Sequence, residues 1–458
     1  MVEPASGNGS QVHNREGHDA GGHDRDGHDV VIVGASLAGC AAAIMLGRAG
    51  ARVALVDQRA EPSAFKRICS HYVQSSAVAT LERLDLLEPM MAAGAVRSRA
   101  RLWTRWGWIE PPANSSVPSG INLRRQLLDP LIRDAAANTP GVELLLGQTA
   151  QELLWSGETV GGVEVRDRGG RRLRLGGKLL IGADGRDSRV AKLAGVRRRT
   201  FPHGRFAYGG YFEGPPPGGA PDASLWLLDP DMAAAFPTDD GLTFYACMPT
   251  KARLAEFRGD PAGALVEFVS RVPDAPPIAD SRLVGSVQGK LDMTNVAHSL
   301  TAPGLALIGD AALAIDPLWG VGCGWALQSA EWLADSVAPA LAGSGPLQRG
   351  LARYRRRHAR ALRGHAMMIY DYAGGRRMNA PARLLFAAAA ENERVAGVME
   401  AFGTRNIGPA QMMLRAMGPA LAAGVRRSSR LRTRRGRPPA RAAALSAGGR
   451  EGASAGAG

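Results

Sequence analysis

The sequence predicts an α/β fold: a Rossmann-like domain with an inserted β-sheet domain and a C-terminal helical extension. Three observations predict it. Short β-branched or leucine-rich runs at residues 29–33, 179–182 and 305–308 each end in a turn of small residues, the pattern of parallel strands buried on both faces. Two inserts, residues 85–118 and 200–285, carry aromatics and short alternating runs such as Leu225-Trp226-Leu227-Leu228 and Leu242-Thr243-Phe244-Tyr245-Ala246, which read as strands of a second sheet. After residue 346 the pattern turns helical, with Tyr354-Arg355-Arg356-Arg357-His358-Ala359-Arg360 and later apolar stretches. The expected organisation is a parallel-sheet domain at 29–84, 119–199 and 286–345, a sheet domain at 85–118 and 200–285, and a helical extension at 346–425.

Two polar tails flank this body. Residues 426–458 hold nine arginines against the single Glu451, so much of the net charge of +14 sits there. Without apolar periodicity that segment reads as a solvated, disordered tail, and no nucleic-acid partner is expected. Residues 1–28 repeat Gly-His-Asp at Gly17, Gly22 and Gly27 and contain four of the nine histidines. Nothing there fixes ligand geometry, so no metal site is expected. No apolar signal core precedes Asp29.

Cys40, Cys69, Cys247 and Cys323 are far apart in sequence, with no CxxC pair and no zinc-like spacing. That pattern suits a reducing cytoplasm. The apolar run at residues 30–46 contains Gly34, Ser36 and Gly39 and ends before Arg48, short of the roughly 20 residues a bilayer span needs. It reads instead as strand, turn and helix, and no transmembrane segment is expected.

Asp29-Val30-Val31-Ile32-Val33 leads into Gly34-Ala35-Ser36-Leu37-Ala38-Gly39, a GxGxxG-like turn with serine second. Gly34 permits the sharp turn, the small Ser36 lets a pyrophosphate approach the backbone, and Gly39 allows close helix–strand packing. Residues 40–50 continue the helix. Asp57 ends the second strand, placed to accept hydrogen bonds from an adenosine ribose.

Two further turns follow. Leu179-Leu180-Ile181 runs into Gly182-Ala183-Asp184-Gly185, and Leu305-Ala306-Leu307-Ile308 into Gly309-Asp310-Ala311-Ala312. The latter continues through Pro317-Leu318-Trp319-Gly320-Val321-Gly322-Cys323-Gly324 into a helix expected from Trp325 to about Leu341. Gly320, Gly322 and Gly324 expose backbone N–H groups at a helix N-terminus, which stabilises nearby negative charge.

With these three turns in this order, the chain resembles the para-hydroxybenzoate-hydroxylase-like flavoprotein monooxygenases over about residues 29–345. The resemblance implies a Rossmann-like FAD-binding domain and a β-sheet substrate domain. It assigns the ADP half of FAD to Gly34, Ser36, Gly39 and Asp57, the region shared by FAD and NAD(P)H to Asp184 and Gly185, and the ribityl chain to Gly309 and Asp310. Gly320 and Gly322 then face the N1/C2 side of the flavin. Arg125 in Leu123-Arg124-Arg125-Gln126 matches the family's arginine near the flavin pyrophosphate, with Arg124 a competing match. The implied chemistry is reduction of FAD by NAD(P)H, addition of O2 at flavin C4a, and transfer of the distal oxygen of the hydroperoxide to a small apolar aromatic, polyketide or isoprenoid substrate, by hydroxylation or epoxidation. Because the cofactor performs the chemistry, no catalytic acid or base need be advertised.

On the substrate side, Trp103, Trp106 and Trp108 lie on one expected strand as pocket or core residues. Cys69 and His71 fall where the family chain passes the flavin ring, and they read as a packed thiol and a hydrogen-bonded imidazole. Two rivals share the fold. Prenyl-chain reductases have overlapping motifs. Halogenases have a Trp-x-Trp-x-Ile-Pro stretch superficially similar to Trp106-Gly107-Trp108-Ile109-Glu110-Pro111, but the spacing and order differ, and no lysine occurs between Lys66 and Lys178 to carry an active halogen.

Overall fold

The computed structural model describes residues 23–25, 27–219 and 222–435. The His-rich stretch before residue 23 and the Arg-rich stretch from residue 436 lie outside the described residues. At the centre is a six-stranded sheet in the order Thr301–Ala302, Leu305–Leu307, Leu179–Gly182, Val30–Val33, Val53–Asp57, Val142–Leu146. All its pairings are parallel except the one made by Thr301–Ala302. Successive residues of the four central strands are buried on opposite faces, which is why those strands read as continuous apolar runs.

One face packs Val30, Ile32, Leu55 and Ile181 against the helices Leu37–Arg48, Arg125–Ala137 and Gly322–Leu341. The other packs Val31, Val33, Val56 and Leu180 against an antiparallel meander, Thr149–Ser156, Thr159–Arg166 and Arg172–Gly176. His23–Arg25, assigned by composition to a disordered tail, pairs parallel with Arg172–Gly176. The helix Leu347–Ala373 joins this domain through Tyr354, whose hydroxyl donates to Leu307 O at 2.7 Å.

The second sheet has seven strands, in the order Arg282–Lys290, Ala207–Glu213, Leu242–Cys247, Met232–Pro237, Ala223–Leu227, Ala100–Thr104, Gly107–Ile109. Its outer face packs Phe212, Trp226 and Tyr245 against the helix Pro261–Ser270. Its inner face, with Leu225, Phe236 and Phe244, is covered by the helices Ala380–Ala389, Glu393–Gly403 and Pro409–Arg435.

Several expectations are corrected here. Residues 85–98 do not belong wholly to the sheet domain, because Leu86, Leu87, Met90 and Ala95 are buried in the parallel-sheet core. Trp103 and Trp108 are not on one strand: they face each other across a hairpin and pack on the outer side with Trp226. Trp108 Nε1 donates to Asp274 at 2.9 Å, and Arg101 lies over its ring. Only Trp106 packs on the inner side. The final helix continues to Arg435 rather than giving way to a tail at residue 426.

Two histidines are buried where the extension docks. His358 packs edge-on to Trp332 and Tyr354, and His365 stacks on Phe402. Burial, helped by the Arg405 charge, pushes both pKa values down to about 4. Both groups fold neutral. Unfolded histidine protonates near 6.5, so the stability they hold is complete above that value and falls as pH drops from about 6.5 towards 4, by roughly 3 kcal/mol per histidine at most. Urea titrations across that range are expected to show the decline, and His358→Gln with His365→Gln to flatten it, whatever the double variant's stability at pH 8.

Candidate active site

The glycine turn is built by close approach. A Cβ on Gly39 would sit 1.7 Å from Gly34 O, and one on Gly34, whose φ is +111°, would sit 2.4 Å from Ala183 O. Only glycine fits either position, and Ala183, from the turn after Leu179–Gly182, backs the first turn directly. The helix Leu37–Arg48 then starts with no acidic side chain in its first turn, which leaves its N-terminal field free for an anion.

Asp57 lies where the sequence placed it, but its carboxylate is already engaged. Ala35 N–H donates to Oδ2 at 2.7 Å, Arg59 Nη2 to Oδ2 at 3.0 Å, and Arg59 N–H and Nε to Oδ1 at 2.8 and 3.0 Å. Four donors fill the usual capacity of a carboxylate, so a ribose hydroxyl reaches Asp57 only if Arg59 turns away. Burial works against the charge on Asp57, yet Arg59 outweighs it and holds the carboxyl below its ordinary range.

The two adjacent arginines diverge. Arg125 is buried and turns to the glycine turn, with Nη2 donating to Ser36 Oγ at 2.8 Å and Nε to Asp129 Oδ1 at 2.7 Å. Arg124 turns to the second sheet, where its N–H donates to Asp239 at 2.8 Å and its guanidinium also meets Asp240 and the Tyr211 ring. Arg133, not singled out by sequence, is also buried; its Nε donates to Ala35 O at 3.2 Å and its Nη2 to Ala64 O at 2.8 Å.

Gly309 has φ +57° and packs against Ala38, which sets Asp310 beside the first helix. Lys66 Nζ bridges to Asp310 at 3.0 Å. Burial opposes the Asp310 charge, but Lys66 and Arg186 prevail and keep the carboxyl below its usual range. The turn after it places Gly320 at φ +61° against Tyr72. The following helix begins at Gly322, three residues before the expected Trp325. A Cβ on Gly322 would meet nothing within 4 Å, so the helix start opens onto free space.

Asp184 is engaged by the residues that follow it. Its carboxylate accepts from Ser188 Oγ and from Val190 N–H at 2.9 Å, capping the short helix Arg189–Leu193. Gly185, at φ +86°, faces open space.

Cys69 and His71 lie on the irregular segment between Asp57 and Tyr72. His71 adopts φ +61° and is buried. Arg125 N–H donates to His71 Nδ1 at 3.2 Å, and His71 Nε2 is hydrogen-bonded to Tyr211 Oη. Since Nδ1 accepts, the ring proton of the neutral imidazole is on Nε2 and is donated to Tyr211. Tyr211 stacks on His71 and tilts against Phe244. Cys69 Sγ lies 3.5 Å from Cys323 Sγ, a pairing across 254 residues that no local spacing signals.

The arrangement fits FAD. A donor-rich glycine turn and Arg125 suit a diphosphate, Asp310 suits ribityl hydroxyls, Asp57 suits a ribose hydroxyl in place of Arg59, and open space lies before the Gly322 helix. Fold and site together define an FAD-dependent oxidoreductase. A family model described as FAD binding domain matches residues 27–368. The chain belongs to that family, that of the para-hydroxybenzoate-hydroxylase-like flavoprotein monooxygenases. It is 27% identical over 336 residues to a digeranylgeranylglycerophospholipid reductase of Methanothrix thermoacetophila, covering 72% of this chain and 82% of the relative. It is 26% identical over 330 residues to the 3-demethoxyubiquinol 3-hydroxylase of Escherichia coli, covering 68% and 80%. In fold it is similar to a triple mutant of the flavin-dependent brominase Bmp2, with a TM-score of 0.71 at 18% identity over 88% of this chain and 100% of that one.

Arg125→Lys removes the planar fork that reaches Ser36 and Asp129 together. FAD affinity, measured by fluorescence quenching on titrating the apoprotein, is expected to fall about 10- to 100-fold, a loss of roughly 1.4–2.8 kcal/mol. Arg124→Lys is expected to leave it within about threefold, a change of under roughly 1 kcal/mol.

Proposed function

We propose that this protein is an FAD-dependent, NAD(P)H-using monooxygenase that hydroxylates or epoxidises a small apolar molecule in the cytoplasm. The observation that carries the reading is the aromatic inner face of the second sheet, with Tyr211 and Phe244 set against His71 at the cofactor crevice. Such an apolar, aromatic surface suits an aromatic, polyketide or isoprenoid substrate.

When bound, FAD supplies the redox and oxygen-transfer chemistry. The chain's own residues bind, orient and manage protons. Arg125 and the N-terminus of Leu37–Arg48 would hold the diphosphate, Asp310 would receive ribityl hydroxyls, Asp57 would receive a ribose hydroxyl once Arg59 turned away, and the N–H groups of the Gly322 helix start would stabilise negative charge on the cofactor. His71 holds Tyr211 Oη by donating to it, which leaves the phenol proton of Tyr211 free to point at a substrate oxygen. Burial raises the Tyr211 pKa above its ordinary value, so the phenol stays a donor at neutral pH.

A second reading, reduction of prenyl-chain double bonds, is favoured by the similarity to the digeranylgeranylglycerophospholipid reductase. The two are separated with NADH or NADPH, a panel of phenols, quinols and prenylated compounds, and isotopically labelled O2. Labelled oxygen in the product supports the monooxygenase. A product that gains hydrogen and no oxygen, formed equally well without O2, overturns it in favour of the reductase. Tyr211→Phe is expected to lower kcat on a phenolic substrate about 10- to 100-fold with little change in KM.

A further inference from the structure

We propose that Cys69 and Cys323 form a redox-active dithiol, oxidised by hydrogen peroxide to an intramolecular disulfide that clamps the Cys69 loop to the start of the Gly322–Leu341 helix. This does not depend on which substrate the enzyme takes.

The two sulfurs are 3.5 Å apart, against about 2.05 Å in a disulfide, so closure needs only a small approach. One partner can supply it. Cys69 is half-buried in the irregular segment between Asp57 and Tyr72, whereas Cys323 is buried in the first turn of a long helix.

The surroundings favour thiolate at Cys69. The Cys323 sulfur lies within hydrogen-bond distance, His71 N–H donates to the Cys69 sulfur at 3.3 Å, and Arg125 Nη1 lies 3.7 Å away. The same guanidinium is 4.0 Å from Cys323 Sγ. These contacts hold the Cys69 pKa well below its ordinary value and push that of Cys323 up, so the pair divides into a nucleophile and a protonated partner. Cys40 and Cys247 lack these features. Both are buried, and burial raises the pKa of each, that of Cys40 to about 12.

The chemistry balances without another reactant. The Cys69 thiolate attacks one oxygen of hydrogen peroxide, the O–O bond breaks, and Cys69 sulfenic acid and hydroxide form. Hydroxide takes up the proton that Cys69 released on ionising. The Cys323 sulfur then attacks the sulfenic sulfur, and its proton leaves with the hydroxyl as a second water. Two thiols are oxidised by two electrons, and one peroxide is reduced to two waters.

The test uses the full-length holoenzyme, reduced, desalted and treated with hydrogen peroxide, then denatured in an alkylating reagent. The expected result is a protein lighter by two hydrogens in which two of the four cysteines still alkylate. Trypsin is expected to release residues 68–83 joined to residues 291–349, and dithiothreitol to separate them. In Cys323→Ser the reaction is expected to stop with one added oxygen on Cys69, trapped by dimedone. In Cys69→Ser, residue 323 is expected to stay unmodified. Four alkylatable thiols after peroxide, or oxygen adducts on wild-type Cys69 without the cross-link, would overturn the proposal. The read-out is covalent, so it stands or fails separately from oxygen transfer to any substrate.

Discussion

The buried guanidinium of Arg125 touches four separate parts of the chain at one point. It donates to Ser36 in the glycine turn, pairs with Asp129 one helical turn along, and lies beside both Cys69 and Cys323. Its own backbone N–H orients His71, which in turn fixes Tyr211 on the second sheet. A buried cation is costly unless it is paired and hydrogen-bonded. Asp129, itself fully buried, supplies the charge, and the remaining contacts bring glycine turn, loop, helix and sheet to one point.

The rest of the architecture holds these pieces at that point. The parallel sheet is buried on both faces, so its strands cannot slip without exposing apolar residues on one side. The glycine turn is sandwiched between its own helix and Ala183, where no side chain fits. The helical extension does not merely trail from the body. Its last three helices cover the inner face of the second sheet, while Leu347–Ala373 is tied through Tyr354 to the parallel sheet.

Reductases, hydroxylases and halogenases occur among the similar proteins, which follows from where the reactivity lies. If the cofactor carries the electrons, a shared cradle suits several reactions, and the outcome turns on what the chamber admits and which proton donors face it. The groups proposed for that part in this chain, Tyr211 with His71 behind it and Phe244, come from segments that lie between the motifs and not within them.

What the sequence by itself determined is the local geometry. A continuous β-branched run demands burial on both faces, and the turns at Gly34, Gly309 and Gly320 demand backbone conformations or clearances that a side chain would spoil. Those constraints act over a few residues, so they are legible along the chain. Tertiary structure decided everything that depends on distant partners. It sent Arg125 to the glycine turn and Arg124 to the second sheet, although they are neighbours at a helix start. It engaged Asp184 with the residues that follow it and Asp57 with Arg59. It sent Trp103 and Trp108 to the outer side of the second sheet, against Trp226, and Trp106 to the inner side. It also set Cys69 against Cys323 and laid the last helices over the second sheet. Side-chain direction and long-range pairing depend on packing between elements far apart in sequence, and no local periodicity encodes them.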